Sequence, residues 1–299
     1  MSACSIVSKL IPSSNPSVVN DYVALAGNGE IFVSKNGESW ESVTTLKNSY
    51  WNNLTYQNDK FIAFGVNGKV YYSYDSLNWQ LVSDNNDPRV WLYDVEYNNG
   101  LYIGVGACGL ILTADSMKDP NPEVVHLGIH NWLSSICYSG SNLIVVGSQG
   151  VILSSSDGKS WKKQVSPTSN WLSFVESYNG TIFAVGAKGT IISSADGIDW
   201  QELSSSAKDW LYSMTYGSNL YVAVGEDSTI LTSIDGITWK QDENNLPKDS
   251  IIKSIIFANN EFWVALNNGQ IAHSKDVKNW SIIQLSSTAD IVSIVHYNH

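Results

Sequence analysis

The sequence predicts an all-β fold, a seven-bladed β-propeller of four-stranded antiparallel blades. The first observation is repetition, because 182–200 (IFAVGAKGTIISSADGIDW) closely matches 143–161 and 221–239. The second is spacing, since the residue that opens the S-x-D-G-x-x-W element recurs every 39 to 42 positions. Four strands in about 40 residues, separated by turn signals, are typical of a propeller blade. The opening residues of the seven repeats are Ser34, Ser73, Thr113, Ser155, Ser194, Ser233 and Ser274.

The chain ends predict how the ring closes. Three strands of each repeat begin near Tyr22, Phe61, Tyr102, Leu143, Ile182, Tyr221 and Phe262. The fourth type of strand begins at Trp51, Trp91, Trp132, Trp171, Trp210, Ile251 and Ile291. The last of these, IVSIVHY at 291–297, has no three strands after it, so we expect it to pair near Tyr22–Ala26 and complete the first blade. Residues 1–20, which include Pro12 and Pro16, are assigned to an N-terminal extension, and 21–299 to a single propeller domain.

The S-x-D-G-x-x-W element predicts a tight turn. An aspartate side chain accepts hydrogen bonds from backbone N–H groups of its own turn, which explains an Asp at this position without any role in binding. We therefore interpret five aspartates as structural: Asp75, Asp157, Asp196, Asp235 and Asp276. The third repeat departs from the pattern, because 113–125 (TADSMKDPNPEVV) contains no tryptophan and carries the insertion KDPNPE at 118–123.

Charge and composition exclude several classes of function. Lys and Arg number 17 against 28 Asp and Glu, the net charge is -11, and Arg89 is the only arginine. Binding of nucleic acid or of an anionic membrane surface needs clusters of basic residues, so neither is expected. The cysteines (Cys4, Cys108 and Cys137) and the five histidines have no metal-site spacing, so no metal and no cofactor is expected. The absence of an apolar span or an N-terminal signal predicts a soluble protein, with no indication of its compartment.

A second set of tryptophans suggests a binding face. Five indoles open the inner strands of consecutive blades, on the face opposite the S-x-D-G turns. The same face carries Gly-x-x-Gly turns at 65–68, 106–109, 147–150 and 186–189, where glycine suits a tight hairpin that needs a positive φ. They either wedge between blades as core or form an aromatic platform around the channel mouth. The candidate binding residues are these indoles and two neighbouring polar residues: Trp51, Trp91, Trp132, Trp171, Trp210, Arg89 and His130.

The repeats resemble two groups of known proteins. The turn element matches the Asp-box of the BNR-repeat family. The longer pattern, G-x-x-G-x-I-x-x-S-x-D-G-x-x-W with W-L about ten residues later, is similar to photosystem II assembly-factor propellers and their bacterial relatives, from about Tyr22 to Tyr297. That resemblance implies a binding scaffold that performs no chemistry. The arginine-rich patch of that family has no counterpart here, since Arg89 stands alone.

Three functions remain open at this stage. The first is a non-catalytic scaffold that binds a protein or peptide on the tryptophan face, and the second is a lectin-like module that binds glycans. The third is a glycoside hydrolase, for which two facing carboxylates are needed. Its candidates lie on or beside inner strands: Asp94, Glu96, Glu176 and Asp209. A sialidase needs three arginines around its substrate carboxylate and is excluded, and no residue is assigned a catalytic role.

Overall fold

A computed structural model describes residues 20–47, 50–83, 87–117 and 122–297. Residues 1–19 of the predicted extension and 118–121 of the third-repeat insertion lie outside the described residues. Across the described ranges, 28 strands form seven four-stranded antiparallel sheets, which confirms the seven-bladed propeller. No helix in this part of the chain has the length and apolar character needed to cross a bilayer.

Each blade uses its strands in order from the channel to the rim. The inner strands, which line the central channel, are β28 (Ile291–His296), β4 (Trp51–Gln57), β8 (Leu92–Asn98), β12 (Leu133–Tyr138), β16 (Leu172–Tyr178), β20 (Leu211–Gly217) and β24 (Ile252–Ala258). The second strands are β1 (Tyr22–Ala26), β5 (Lys60–Gly65), β9 (Leu101–Gly106), β13 (Leu143–Gly147), β17 (Thr181–Gly186), β21 (Leu220–Gly225) and β25 (Glu261–Leu266). Nearly every residue of the second strands is buried, because blades pack on both of their faces.

The outer half of each blade is shorter and more exposed. The third strands are β2 (Glu30–Ser34), β6 (Val70–Ser73), β10 (Ile111–Ala114), β14 (Ile152–Ser155), β18 (Ile191–Ser194), β22 (Ile230–Ser233) and β26 (Gln270–Ser274). The rim strands are β3 (Glu41–Thr45), β7 (Gln80–Ser83), β11 (Glu123–Val125), β15 (Lys162–Lys163), β19 (Gln201–Leu203), β23 (Lys240–Gln241) and β27 (Ser281–Gln284). Short, charged rim strands limit edge-to-edge pairing with other molecules.

The ring closes between the two ends of the chain, as predicted. Strand β28 pairs antiparallel with β1, and Tyr22 lies opposite His296 in that register. The sheet of the first blade therefore has the order β28, β1, β2, β3. Ile291 and Ile294 of β28 are buried in the core between the first and seventh blades. Closure thus relies on hydrogen bonds and apolar packing and needs no covalent link.

The S-x-D-G turns have the geometry expected of a structural aspartate. In the fourth blade, Asp157 Oδ1 accepts hydrogen bonds from the N–H groups of Lys159 (2.8 Å) and Ser160 (2.6 Å). The Ser155 hydroxyl donates to the same carboxylate at 3.0 Å and accepts from the Gly158 N–H at 2.9 Å. These backbone N–H groups hold the pKa of Asp157 well below its usual range. In the first blade, Asn36 accepts the equivalent bonds from Glu38 and Ser39.

The tryptophan that ends each of these turns seals an interface between blades. Trp161 packs with Ile103 of the preceding blade, Trp200 with Ile144, and Trp239 with Phe183. Six of the seven interfaces are sealed in this way by the described residues Trp40, Trp79, Trp161, Trp200, Trp239 and Trp280. The interface between the second and third blades is the exception.

The structure corrects the register of the third repeat. Ala114 lies opposite Tyr102, as Ser155 lies opposite Leu143, so Ala114 and not Thr113 is the counterpart of the opening serine. Ser116 consequently occupies the aspartate position and Met117 the glycine position. The prediction of Thr113 was wrong because threonine resembles serine chemically. The distance from the hairpin glycine would have decided it, since Gly109 to Ala114 and Gly150 to Ser155 both span five residues.

Candidate binding face and central channel

Four of the predicted indoles form a continuous row on one face of the ring. Trp91, Trp132, Trp171 and Trp210, here called the tryptophan row, come from the third to the sixth blade. Consecutive ring centroids are 5.9, 5.7 and 5.9 Å apart, in edge-to-face or tilted arrangements. These distances lie in the favourable range for aromatic pairs. Trp91 is 36% exposed and the other three are half-buried, so the row keeps part of its apolar surface in solvent.

A close backbone contact fixes each member of the row. The Trp171 carbonyl accepts the Ala187 N–H at 2.8 Å, and the Trp91, Trp132 and Trp210 carbonyls accept equivalent bonds at 2.8 to 3.0 Å. A Cβ atom on Gly186 would lie 1.9 Å from the Trp171 carbonyl oxygen. Gly186 itself has an extended backbone, with φ of −176°. The first glycine of the Gly-x-x-Gly turn is therefore required for close approach of the chain, whereas the positive φ expected of the turn is found at its last glycine, Gly189, with φ of +66°.

Trp51 does not belong to the row. Trp51 lies opposite Gly65 in the antiparallel register, just as Leu92 lies opposite Gly106 and Leu172 opposite Gly186. Its side chain is only 2% exposed. The residue in the register of the row is Tyr50, which is 69% exposed. A shift of one residue along a strand moves a side chain to the opposite face, which is why Trp51 is core.

The residues two positions after the row extend and support it. Tyr93 stacks on Trp132 at 5.8 Å, and Tyr212 stacks on Trp210 at 6.1 Å. The Lys253 ammonium lies 4.0 Å from the Tyr212 ring centroid, a favourable cation–π distance. Tyr93, Tyr212 and Lys253 were not predicted from the sequence. Strand alternation would have found them, because positions i and i+2 share a face.

Hydrogen bonds tie neighbouring indoles of the row to adjacent blades. The indole N–H of Trp171 donates to the Ser134 hydroxyl at 2.6 Å, and the indole N–H of Trp210 donates to the Ser173 hydroxyl at 2.5 Å. Each bond crosses from one blade to the preceding one. Satisfying the polar end of a half-buried indole in this way fixes its orientation, so the row presents a preformed surface.

The two predicted polar residues of the face lie in the segments that lead into the row. Arg89 is exposed and forms a bidentate pair with Asp87, with N–O distances of 2.8 and 2.9 Å. This pairing lowers the pKa of Asp87 to about 2. In the same segment, the Pro88 carbonyl accepts a hydrogen bond from the indole N–H of Trp91 at 3.0 Å. His130 is exposed two residues before Trp132. Both side chains are accessible next to members of the row.

The central channel beneath the row has a volume of about 630 Å³ and an acidic wall. Asp94, Glu96 and Glu176 line it, together with Lys253 from another blade. Burial raises the pKa of Asp94 to about 6, although N–H and hydroxyl donors partly offset this effect. Burial and the charges of Asp94 and Glu176 raise the pKa of Glu96 to about 8. Burial also raises the pKa of Glu176 to about 7.

We predict that Glu96→Gln makes the protein more stable at pH 8. The ordinary pKa of this carboxyl is near 4.5, so between pH 4.5 and 8 the folded protein retains a proton that the unfolded chain has released. The free energy of unfolding therefore falls as the pH rises through this window. Glu96→Gln removes this cost. Melting curves at pH 4 and pH 8 measure it, and we expect a difference of several degrees at pH 8 only.

The matched control for this prediction is Glu202→Gln, at an exposed residue of a rim strand. It should melt like the wild type at both pH values. Equal pH dependence of the melting temperature in wild type and Glu96→Gln would contradict the assignment.

Two of the four carboxylates considered for hydrolysis, Asp94 and Asp209, have structural partners. Asp94 accepts hydrogen bonds from the Ser135 hydroxyl at 2.8 Å and the Ile136 N–H at 3.1 Å, which ties β8 to β12. Asp209 accepts a hydrogen bond from the Thr229 hydroxyl at 3.0 Å in the hairpin of the sixth blade.

Among the described residues, no group of three or more His, Cys, Asp or Glu side chains is arranged to hold a metal ion.

Comparison with known proteins identifies the same architecture. A profile of the DUF6242 beta propeller domain matches residues 133–251, which span the fourth to sixth blades. No curated protein matches the chain. Among solved structures, YCF48 bound to D1 peptide is 21% identical with a TM-score of 0.52, and the match covers 64% of this chain and 66% of that one, just under two thirds.

Two further structures are similar over longer stretches. YCF48 from Cyanidioschyzon merolae is 14% identical with a TM-score of 0.65, and the match covers 84% of this chain and 90% of that one. The WD40 repeats of RRP9 are 8% identical with a TM-score of 0.63, with coverage of 81% and 82%. At these identities the likeness establishes the propeller fold and nothing about its ligand.

Proposed function

We propose that this propeller is a non-catalytic scaffold that binds a peptide segment of a partner protein across the tryptophan row. The observation that carries the proposal is the row itself, four partly exposed indoles in mutual contact, of which Trp91, Trp171 and Trp210 donate their indole N–H within the protein. Rigid aromatic surfaces of this kind lose little entropy on binding and are enriched among residues that dominate interfaces. A similar propeller has been solved with a bound peptide, YCF48 with D1 peptide, which supports the same use here.

The surroundings of the row suit a peptide with apolar and charged side chains. Tyr50, which is exposed, holds the corresponding register position in the second blade, and Lys253 of the seventh blade lies over the Tyr212 ring. His130 and Arg89 are exposed beside it, and although the Arg89 guanidinium is paired with Asp87, both side chains offer further polar contacts to a peptide. Trp51 is not part of the proposed contact, because its side chain is core.

We expect the double substitution Trp132→Ala, Trp171→Ala to weaken peptide binding by about 2 to 4 kcal/mol, because both indoles are central anchors of the row. Peptides are first selected from a phage-displayed library on the immobilised wild-type protein. Affinities of the selected peptides for wild type and variant are then measured by calorimetry. The circular dichroism spectrum and melting curve of the variant show whether the ring remains folded.

The matched control replaces two exposed apolar residues on the opposite face, Ile234→Ala and Ile237→Ala. This variant should bind the selected peptides as the wild type does. Undiminished binding by the folded Trp132→Ala, Trp171→Ala protein would overturn the proposal.

A glycan is the alternative ligand for the same face. Indoles stack on sugar rings, and half-exposed tryptophans beside serine hydroxyls and Lys253 offer both stacking and hydrogen bonding. We assign the six regular turns to the Asp-box class, supported by the serine and aspartate geometry described above. A glycan array probed with the wild type and the double variant decides between the two ligands. The lectin-like function is favoured if the wild type binds glycans, the double variant does not, and the phage library yields no binding peptide.

A further inference from the structure

The interface between the second and third blades contains a cleft of about 490 Å³, here called the interblade cleft. Ile62 and Val70 of the second blade form one wall, and Tyr102 and Leu112 of the third blade form the other. Met117 reaches into it from the irregular turn. The cleft therefore lies at the one interface that has no turn tryptophan among the described residues.

Strand register identifies what stands in place of the indole. In the fourth blade Ser154 pairs with Lys162, so Trp161 follows next, opposite Ser155. In the third blade Thr113 pairs with Glu123, which places Pro122 opposite Ala114 in the equivalent position. Pro122 lines the cleft. A small proline ring thus occupies the position from which six other interfaces receive an indole.

A second substitution widens the same space. Gly104 of β9 lines the cleft, and its register counterparts are Ala63, Val145, Ala184 and Ala223. A Cβ atom at Gly104 would lie 3.1 Å from Leu92 Cδ2 and 3.9 Å from Val95 Cγ2, two side chains that also line the cleft. Loss of the indole and loss of this methyl group both enlarge one continuous apolar space.

We infer that the interblade cleft binds a small, uncharged, planar aromatic molecule of the indole class. Six other interfaces between blades accommodate the indole side chain of a turn tryptophan, which indicates the size and shape of the ligand that fits the interblade cleft. Its volume lies within the usual range of about 300–1,000 Å³ for small-molecule sites, so a substituted bicyclic ring is accommodated. In four blades the turn indole donates to the carbonyl of the fourth turn residue, as Trp161 does to Gly158. Met117 is the counterpart of Gly158, which gives a ligand N–H a corresponding acceptor.

The test uses indole as the probe and methionine methyl groups as reporters. Met117 lines the cleft, and Met214 lines the central channel beneath the tryptophan row. The full-length protein is labelled with 13C-methyl methionine and titrated with indole. We expect a saturable shift of the Met117 methyl resonance and none at Met214. A shift of Met214 without one at Met117, or no saturable shift, overturns the proposal.

Two variants test the location. Pro122→Trp supplies the missing indole from the chain itself, so we expect the affinity for indole to fall at least tenfold, whereas Pro122→Ala should change it less than twofold. Gly104→Ala narrows the cleft and should weaken binding several-fold even if the larger substitution disturbs folding. Unchanged indole binding in folded Pro122→Trp or in Gly104→Ala also overturns the proposal.

Discussion

Deletion of residues 291–299 is expected to abolish cooperative folding of the entire ring. Strand β28 is the inner strand of the first blade, and its loss exposes the edge of β1 as well as the adjoining faces of two blades. Ile291 and Ile294 each contribute about 1.5–3 kcal/mol by burial, which is a large share of a typical total of about 5–15 kcal/mol.

Contacts of β28 with the second blade extend the effect beyond one sheet. The Ser293 hydroxyl donates to the Leu54 carbonyl at 2.9 Å, and the Tyr297 ring lies 5.0 Å from that of Tyr56. Urea and thermal denaturation measure the result. A single transition within a few degrees of the wild type after deletion would contradict it.

A circular permutant is the matched control for the deletion. It joins Tyr297 to Asp21 by a short turn and opens the chain between the seventh and first blades, so that every described strand is retained. Because the closure is non-covalent, we expect the permutant to unfold cooperatively and near the wild-type midpoint. Its failure to fold would mean that chain connectivity, and not the β28 contacts, holds the ring together.

Gly186→Ala is expected to destabilise the protein by about 3 kcal/mol or more. The new methyl group would lie 1.9 Å from the Trp171 carbonyl oxygen and 2.8 Å from Leu172 Cα, and both neighbours are backbone atoms that cannot rotate away. The inner strand must therefore move away from β17, which breaks the hydrogen bond from the Ala187 N–H to the Trp171 carbonyl. The same movement displaces a central member of the tryptophan row.

Gly180→Ala is the control within the same blade. No atom lies within 4 Å of a Cβ at Gly180, but its φ of +78° is unfavourable for alanine and costs about 1 kcal/mol. Urea denaturation of both variants separates the steric effect from the conformational one. Equal destabilisation by the two substitutions would show that close approach at Gly186 is not the reason for its glycine.

The repeat made the fold and its closure predictable, because four strands in each period leave one strand missing at the start and one spare at the end. Individual positions were harder to predict when a residue of similar chemistry stood next to the correct one. Trp51 beside Tyr50 and Thr113 beside Ala114 are both of this kind. The spacing to the glycines of the Gly-x-x-Gly turn was the more reliable signal. Tyr50 precedes Gly65, the first glycine of its turn, by 15 residues, and Trp91 precedes Gly106 by the same number.

The contacts of the tryptophan row could be predicted only in part. The inner-strand pattern placed the indoles on one face, but whether each wedges into core or meets its neighbour depends on the tilt of the blades. The stacking of Tyr93 on Trp132 and the bond from Trp171 to Ser134 join different blades, so they depend on the packing of the ring and not on local sequence. The interblade cleft likewise required the strand register.

The spacing of the tryptophan row also has an optical consequence. Indoles whose centroids lie less than 6 Å apart transfer excitation among themselves, so the four rings behave as one fluorophore whose emission leaves from its lowest-energy member. A molecule that quenches that lowest-energy ring therefore dims the emission of the whole row. Binding of the proposed partner to this face should therefore be measurable through the intrinsic tryptophan fluorescence of the unlabelled protein.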